Sequence, residues 1–206
     1  KDIKLPYEGF PSLLYVFVDS IYTDEVIKPI PGDTIVDIGS YVGAYSVKAW
    51  ETYLNHSGKI ICIEPCSDNL PYLYSNIKHI PNIKVITKAV GSIEGKANLF
   101  TKGMQSGFTS YEGKVEETEV VEVHSLATLL EGEKVDFIKI NVGPSDIYNV
   151  MLGCKETLLK DRVKLSLAVG WYLLHKLGNV ANVRDLLKEW GYTSYIRGIT
   201  LYAKKE

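Results

Sequence analysis

The sequence predicts a doubly wound α/β fold with a mostly parallel sheet, closed by an antiparallel hairpin. Three observations carry this. Short apolar runs bounded by Gly, Pro and Asp alternate with helical patterns from residue 33 onward. Repeated strand–helix units of this kind give a parallel sheet with helices on both faces. The last two strand-like runs flank Arg197-Gly198, as a hairpin requires.

The elements follow in order. Residues 1–30 form a lead segment expected to pack on the domain at 31–206. The apolar run Leu13 to Val18 is too short to cross a bilayer. Thr34 to Ile38 reads as a buried strand between Pro31-Gly32-Asp33 and Gly39, and Tyr41 to Leu54 as a helix packed on the sheet. Lys59 to Glu64 is the second strand, opened by Gly58 and closed by Pro65. Ser67 or Asp68 is placed to cap a helix reaching about His79, with Pro71 tolerated in its first turn. Ile83 to Thr87 is the third strand. Lys96 to Thr101 and Glu116 to His124 read as strands around a long polar loop, Lys102 to Lys114, a candidate lid. The acidic residues Glu116, Glu117, Glu119 and Glu122 read as a solvated strand face.

Alternation then resumes. Ser125 to Leu130 is a short helix and Val135 to Ile140 a buried strand. Asp146 to Leu159 is helical with an interruption at Gly153, and Val163 to Val169 is a strand. Asn179 to Trp190 carries Val180, Val183, Leu187 and Trp190 on one stripe, stopped by Gly191. Tyr192 to Ile196 and Thr200 to Ala203 complete the hairpin.

Composition narrows the function. The chain has 206 residues, 46% hydrophobic and 23% charged, with a net charge of −2. That is ordinary for a folded domain and lacks the basic excess of a nucleic-acid binder. Neither nucleic acid nor a membrane is an expected partner. The three cysteines, Cys62, Cys66 and Cys154, suit a reducing, cytoplasmic setting better than a disulfide framework. No second pair of ligands supports a zinc site, so no metal is expected; Cys62 is placed in a buried strand. His79, His124 and His175 read as surface or core histidines.

The first strand ends in Val36-Asp37-Ile38-Gly39-Ser40-Tyr41-Val42-Gly43. Two glycines bracket the turn, and glycine there lets a ligand approach the backbone. Ligands of open α/β sheets bind at the carboxyl ends of the strands. The second strand ends in Ile63-Glu64-Pro65, which puts an acid 25 residues beyond Gly39, placed to accept both hydroxyls of a ribose. The turn lacks the middle glycine of a dinucleotide fingerprint. A nucleoside cofactor without phosphates is favoured over nicotinamide.

These segments resemble the FkbM-type, class I S-adenosylmethionine-dependent methyltransferases. Residues 31–43, Ile63-Glu64-Pro65, Ala89-Val90-Gly91, Asp136-Phe137-Ile138-Lys139-Ile140 and Gly153 through Leu158 carry the resemblance, which spans about residues 25 to 203. It implies a seven-stranded, Rossmann-like sheet and S-adenosylmethionine as cofactor. It implies that Asp37 lies near the methionine amine and that Gly39, Ser40, Tyr41 and Gly43 line methionine and ribose. Glu64 would hold the ribose hydroxyls, with Pro65 a further cofactor-binding residue, and Lys88, Ala89 and Val90 would lie where the adenine rests. The acceptor would be a hydroxyl (or amine) of a small molecule or glycan. Tyr41, Tyr45 and Tyr111 are pocket candidates. The chain departs from the family after the late strand. Asn141-Val142-Gly143-Pro144 stands where the family usually has Asp-Val-Glu-Gly, and Ala168 replaces a further acid. Asn141 is the candidate catalytic position. The alternative reading is a cofactor-binding relative that no longer transfers.

Overall fold

The structure, a computed structural model, describes residues 2–6, 9–101, 117–170 and 179–205. Its strands are β1 (Thr34–Ile38), β2 (Lys59–Ile63), β3 (Ile83–Ile86), β4 (Ala89–Val90), β5 (Gly95–Thr101), β6 (Glu117–His124), β7 (Phe137–Ile140), β8 (Lys164–Ala168), β9 (Thr193–Arg197) and β10 (Thr200–Lys204). Its helices are α1 (Phe10–Leu13), α2 (Ala44–Lys48), α3 (Leu70–Ile77), α4 (Leu126–Leu130), α5 (Ile147–Gly153), α6 (Lys155–Lys160) and α7 (Asn179–Glu189). Seven strands form one sheet in the order β3-β2-β1-β7-β8-β10-β9. All are parallel except β10, which runs against both β8 and β9. The hairpin therefore does not simply extend the sheet: its last strand inserts between β8 and β9. A second small sheet has the order β4-β6-β5.

Both faces of the large sheet are buried, and alternate residues serve opposite cores. One face presents Val36, Ile38, Ile138, Ile140, Leu165 and Leu167, packed with Leu126, Val150, Met151, Leu158, Val183 and Leu187 from α4 to α7. The other presents Ile35, Cys62, Phe137 and Tyr202, packed with Tyr45, Trp50 and Leu73, and with Val16, Tyr22 and Ile27 of the lead segment. Each such side chain taken out of water contributes about 1.5–3 kcal/mol. Among the described residues, no helix is long and apolar enough to cross a membrane.

Helix boundaries differ from the expected ones for local reasons. The helix expected from Tyr41 begins at Ala44, because Tyr41 (φ 52°) and Gly43 (φ 79°) both adopt left-handed conformations in the turn before it. It then widens into a π-helical turn over Ala49–Tyr53. The next helix opens with a 3-10 turn at Ser67–Asn69, and neither Ser67 nor Asp68 caps it with a side chain. The Ser67 N–H is satisfied from elsewhere, by the Glu119 carboxylate at 2.8 Å. One of the four residues of the expected acidic face thus ties the small sheet to the turn that opens α3. Ser125 does cap α4, accepting from Thr128 N–H at 3.1 Å. The break between α5 and α6 falls at Cys154, one residue after Gly153. The proposed lid at 102–114, Tyr111 and His175 lie outside the described residues.

Candidate active site

Strand order fixes the location. β1 is flanked by β2 on one side and β7 on the other, so the chain reverses its direction of travel across the sheet at β1. Open α/β sheets bind ligands outside the strand tips at such a point. Three tips converge there: Gly39 after β1, Glu64 after β2 and Asn141 after β7. The register joins them, with Ile38 opposite both Ile63 and Ile140.

The turn from Gly39 to Gly43 is bound tightly to its neighbours. Gly39 N–H and Ser40 N–H donate to Ile63 O at 3.0 and 3.2 Å. Ser40 Oγ donates to Asp37 O at 2.6 Å. Gly39 has φ 71°, and a Cβ there would lie 1.9 Å from the Asn141 carbonyl oxygen. The absent side chain makes room for the neighbouring strand tip. A side chain at 39 would collide with this chain's own backbone before it met a ligand. Gly43 is likewise a packing glycine, because a Cβ would lie 2.7 Å from Leu73 Cδ1 on α3.

Glu64 is 5% exposed, and its carboxylate works within the protein. Oε2 accepts from Tyr41 N–H at 2.8 Å, and Oε1 accepts from Cys66 N–H and Asn69 Nδ2, both at 3.1 Å. Burial pushes its carboxyl above the ordinary value, against the pull of these donors and of Lys139. A carboxylate offers about four acceptor positions. Among the described residues one is left without a donor, on Oε2, the oxygen shared with the glycine turn.

Asp37 carries an internal ion pair. It is fully buried. Oδ1 accepts from Lys139 Nζ at 2.8 Å and Oδ2 from Ser46 Oγ at 2.7 Å. Both oxygens are thus engaged within the sheet–helix layer. Lys139, itself 3% exposed, also donates to Gly39 O at 2.8 Å. Its ammonium lies over the rings of Tyr22 and Tyr45, 5.1 and 5.9 Å from the centroids. Lys139 is the residue that sequence reasoning passed over. The signal was present as a lone lysine inside the apolar strand Phe137–Ile140.

Ala89 and Val90 bury their side chains in two different cores. Both are buried, at 4% and 2% exposed. Pro65 is half-buried behind Glu64. Cys62 is fully buried in β2, as expected, and its thiol is pushed up to about 12 by burial and by Asp37.

Asn141 is exposed at the end of β7. Its N–H continues the ladder to Ile38 O at 3.0 Å. Its Nδ2 donates to the Tyr22 hydroxyl at 2.8 Å. Tyr22 comes from the lead segment, is 4% exposed and meets Tyr45 edge to face. Burial, aided by Asp37, raises its hydroxyl far above the ordinary range, so Tyr22 stays neutral.

The uncharged glycine turn, the remaining Glu64 lone pair and the Asn141 amide suit a nucleoside-type cofactor in chemical kind.

The methyltransferase FkbM domain matches residues 37–194. Among curated protein sequences none matches the chain significantly. Among solved structures the chain is similar to methyltransferase FkbM from Methylobacillus flagellatus, with a TM-score of 0.57 and 13% identity. The match covers 95% of this chain but only 59% of that one. It is also similar to precorrin-6y C5,15-methyltransferase from Geobacter metallireducens, with a TM-score of 0.54 and 14% identity over 100% and 91% of the two chains. Aeropyrum pernix fibrillarin, solved with natively bound S-adenosyl-L-methionine, matches with a TM-score of 0.55 and 13% identity over 85% and 67%.

Proposed function

The chain belongs to the FkbM methyltransferase domain family, and we propose that it transfers a methyl group from S-adenosylmethionine to a nucleophilic group of a small molecule or glycan. One observation carries this reading: the tips of β1, β2 and β7 bring Gly39–Gly43, Glu64 and Asn141 together at the switch point of the sheet. The cofactor would supply an electrophilic methyl group. The main chain from Gly39 to Gly43 would hold its methionine and ribose, with Glu64 accepting from the ribose. Lys139, bound to Asp37 and Gly39 O, shapes that turn in advance. Holding donor and acceptor in line supplies much of the rate by itself.

The uncharged side chain at Asn141 favours a second reading, a relative that binds the cofactor without transferring. Calorimetry with S-adenosylhomocysteine should show one site. Glu64→Gln should weaken it about tenfold or more, since a hydrogen bond to a charged acceptor contributes about 1.5–3 kcal/mol. No heat at millimolar ligand would overturn both readings. Tight binding, with no S-adenosylhomocysteine released from S-adenosylmethionine in lysate of the source organism, would select the second.

A further inference from the structure

Building on the transfer reading, we infer that the acceptor group is an amine, recognised by the Asn141 side chain and positioned through Tyr22. The orientation of the amide is the starting point. Nδ2 donates to the Tyr22 hydroxyl, so Oδ1 faces away from Tyr22. Oδ1 accepts no hydrogen bond from any described residue, and the residue is exposed. The tip of β7 therefore presents an uncharged acceptor beside the glycine turn.

Neither of the two carboxylates beside the turn is left to act as the base: Asp37 is fully buried, and the last acceptor position of Glu64 is the one assigned to the ribose. Asp37 holds Lys139 and Ser46, and Glu64 holds Tyr41, Cys66 and Asn69. An amide oxygen can orient an N–H or O–H but does not take its proton in neutral water. A hydroxyl becomes a good nucleophile only as a base removes that proton. A neutral amine has its lone pair free while one N–H donates to Oδ1. The amine nitrogen then forms the new N–C bond as the methyl–sulfur bond of a sulfonium donor breaks, with the bonding pair passing to sulfur. The N-methylammonium product afterwards loses one proton to water.

Tyr22 acts here as a positioning residue. Its ring is fixed by Lys139 and Tyr45, and its hydroxyl sets the face that Asn141 presents. Misplacing a reacting group by about 1 Å can cost about a hundredfold in rate.

The test uses the whole chain with S-adenosylmethionine and matched acceptors: glucosamine against glucose, and aniline against phenol. Products are identified by mass spectrometry. A parallel titration follows the Asn141 side-chain amide by nuclear magnetic resonance in protein saturated with S-adenosylhomocysteine. N-methyl products, and movement of the Asn141 signals by the amines alone, are expected. Tyr22→Phe should lower kcat about tenfold or more while the melting temperature and S-adenosylhomocysteine affinity stay at wild-type values. Preferred O-methyl products would overturn the inference. So would an unchanged kcat in Tyr22→Phe, or no methylated amine from protein that binds S-adenosylhomocysteine. Absence of S-adenosylhomocysteine binding would instead remove the underlying transfer reading.

Discussion

Lys139 and Asp37 form an ion pair that is almost wholly out of water. Desolvating two charges is costly, and their attraction offsets that cost only with good geometry and further hydrogen bonds. Here Ser46 completes Asp37, and Gly39 O completes Lys139. Removing one partner leaves the other buried and uncompensated. Lys139→Met should therefore lower stability by about 3–5 kcal/mol, read from the urea midpoint. Adding Asp37→Asn should recover part of the loss, because the stranded charge is gone. A single variant as stable as wild type would mean that the pair carries no such weight. Gly39 belongs to the same scale. Its φ of 71° and the Asn141 carbonyl 1.9 Å from a built Cβ make any substitution there a fold defect first. Loss of cofactor binding in such a variant would say little about the cofactor.

At the scale of elements, most of the sheet was legible in the sequence. Thr34–Ile38 and Lys59–Ile63 are apolar runs bounded by Gly and Pro, and such bounds fix strands well. Helix starts were less legible, since the left-handed Tyr41 is held by Glu64, 23 residues away. The site was legible only where one segment carries it. The glycine turn and Glu64 stand at readable strand ends. The Lys139–Asp37 bond spans 102 residues and the Asn141–Tyr22 bond 119, so only the folded sheet brings them together. Two motifs changed meaning. Gly91 and Gly153 resembled functional segments, yet a Cβ on Gly153 would lie 2.5 Å from Gly91 O. These glycines let α5 close against the strand leaving β4. Gly153→Ala should cost about 1–3 kcal/mol by overpacking, seen as a lower melting temperature with unchanged S-adenosylhomocysteine affinity. Weaker affinity at unchanged stability would return Gly153 to the binding site.

Across the whole molecule, one row of polar side chains crosses the sheet beneath the lead segment. The register sets Cys62, Asp37, Lys139, Ser166, Tyr202 and Tyr195 side by side on β2, β1, β7, β8, β10 and β9. The lead segment closes over this row. Tyr202 donates to Ile21 O at 2.6 Å, and Tyr195 donates to the Asp24 carboxylate. Tyr22, between these anchors, reaches Asn141 at the strand tip. The outer edge of the sheet is thereby coupled to the candidate site through four residues of chain, 21–24. Burial alone would raise the Asp24 carboxyl, but the N–H of Ile27, the Tyr195 hydroxyl and the N–H of Val26 outweigh it and leave it below the ordinary value of 3.8. A carboxyl depressed on folding stabilises above its unfolded value, and that contribution is lost as pH falls through the folded one. Acid should thus release this anchor before it unfolds the sheet, provided Asp24 is what holds the segment. Hydrogen-exchange protection of the Val26 and Ile27 amides, corrected for intrinsic rates, should fall as pH drops below 3.8, while that of β1 and β7 persists. Tyr195→Phe removes one of the donors that depress the carboxyl, so that variant should start from lower protection and lose less of it in acid. Equal protection in wild type and Tyr195→Phe across the acid range would place the anchor elsewhere, and with it the route from the sheet edge to Asn141.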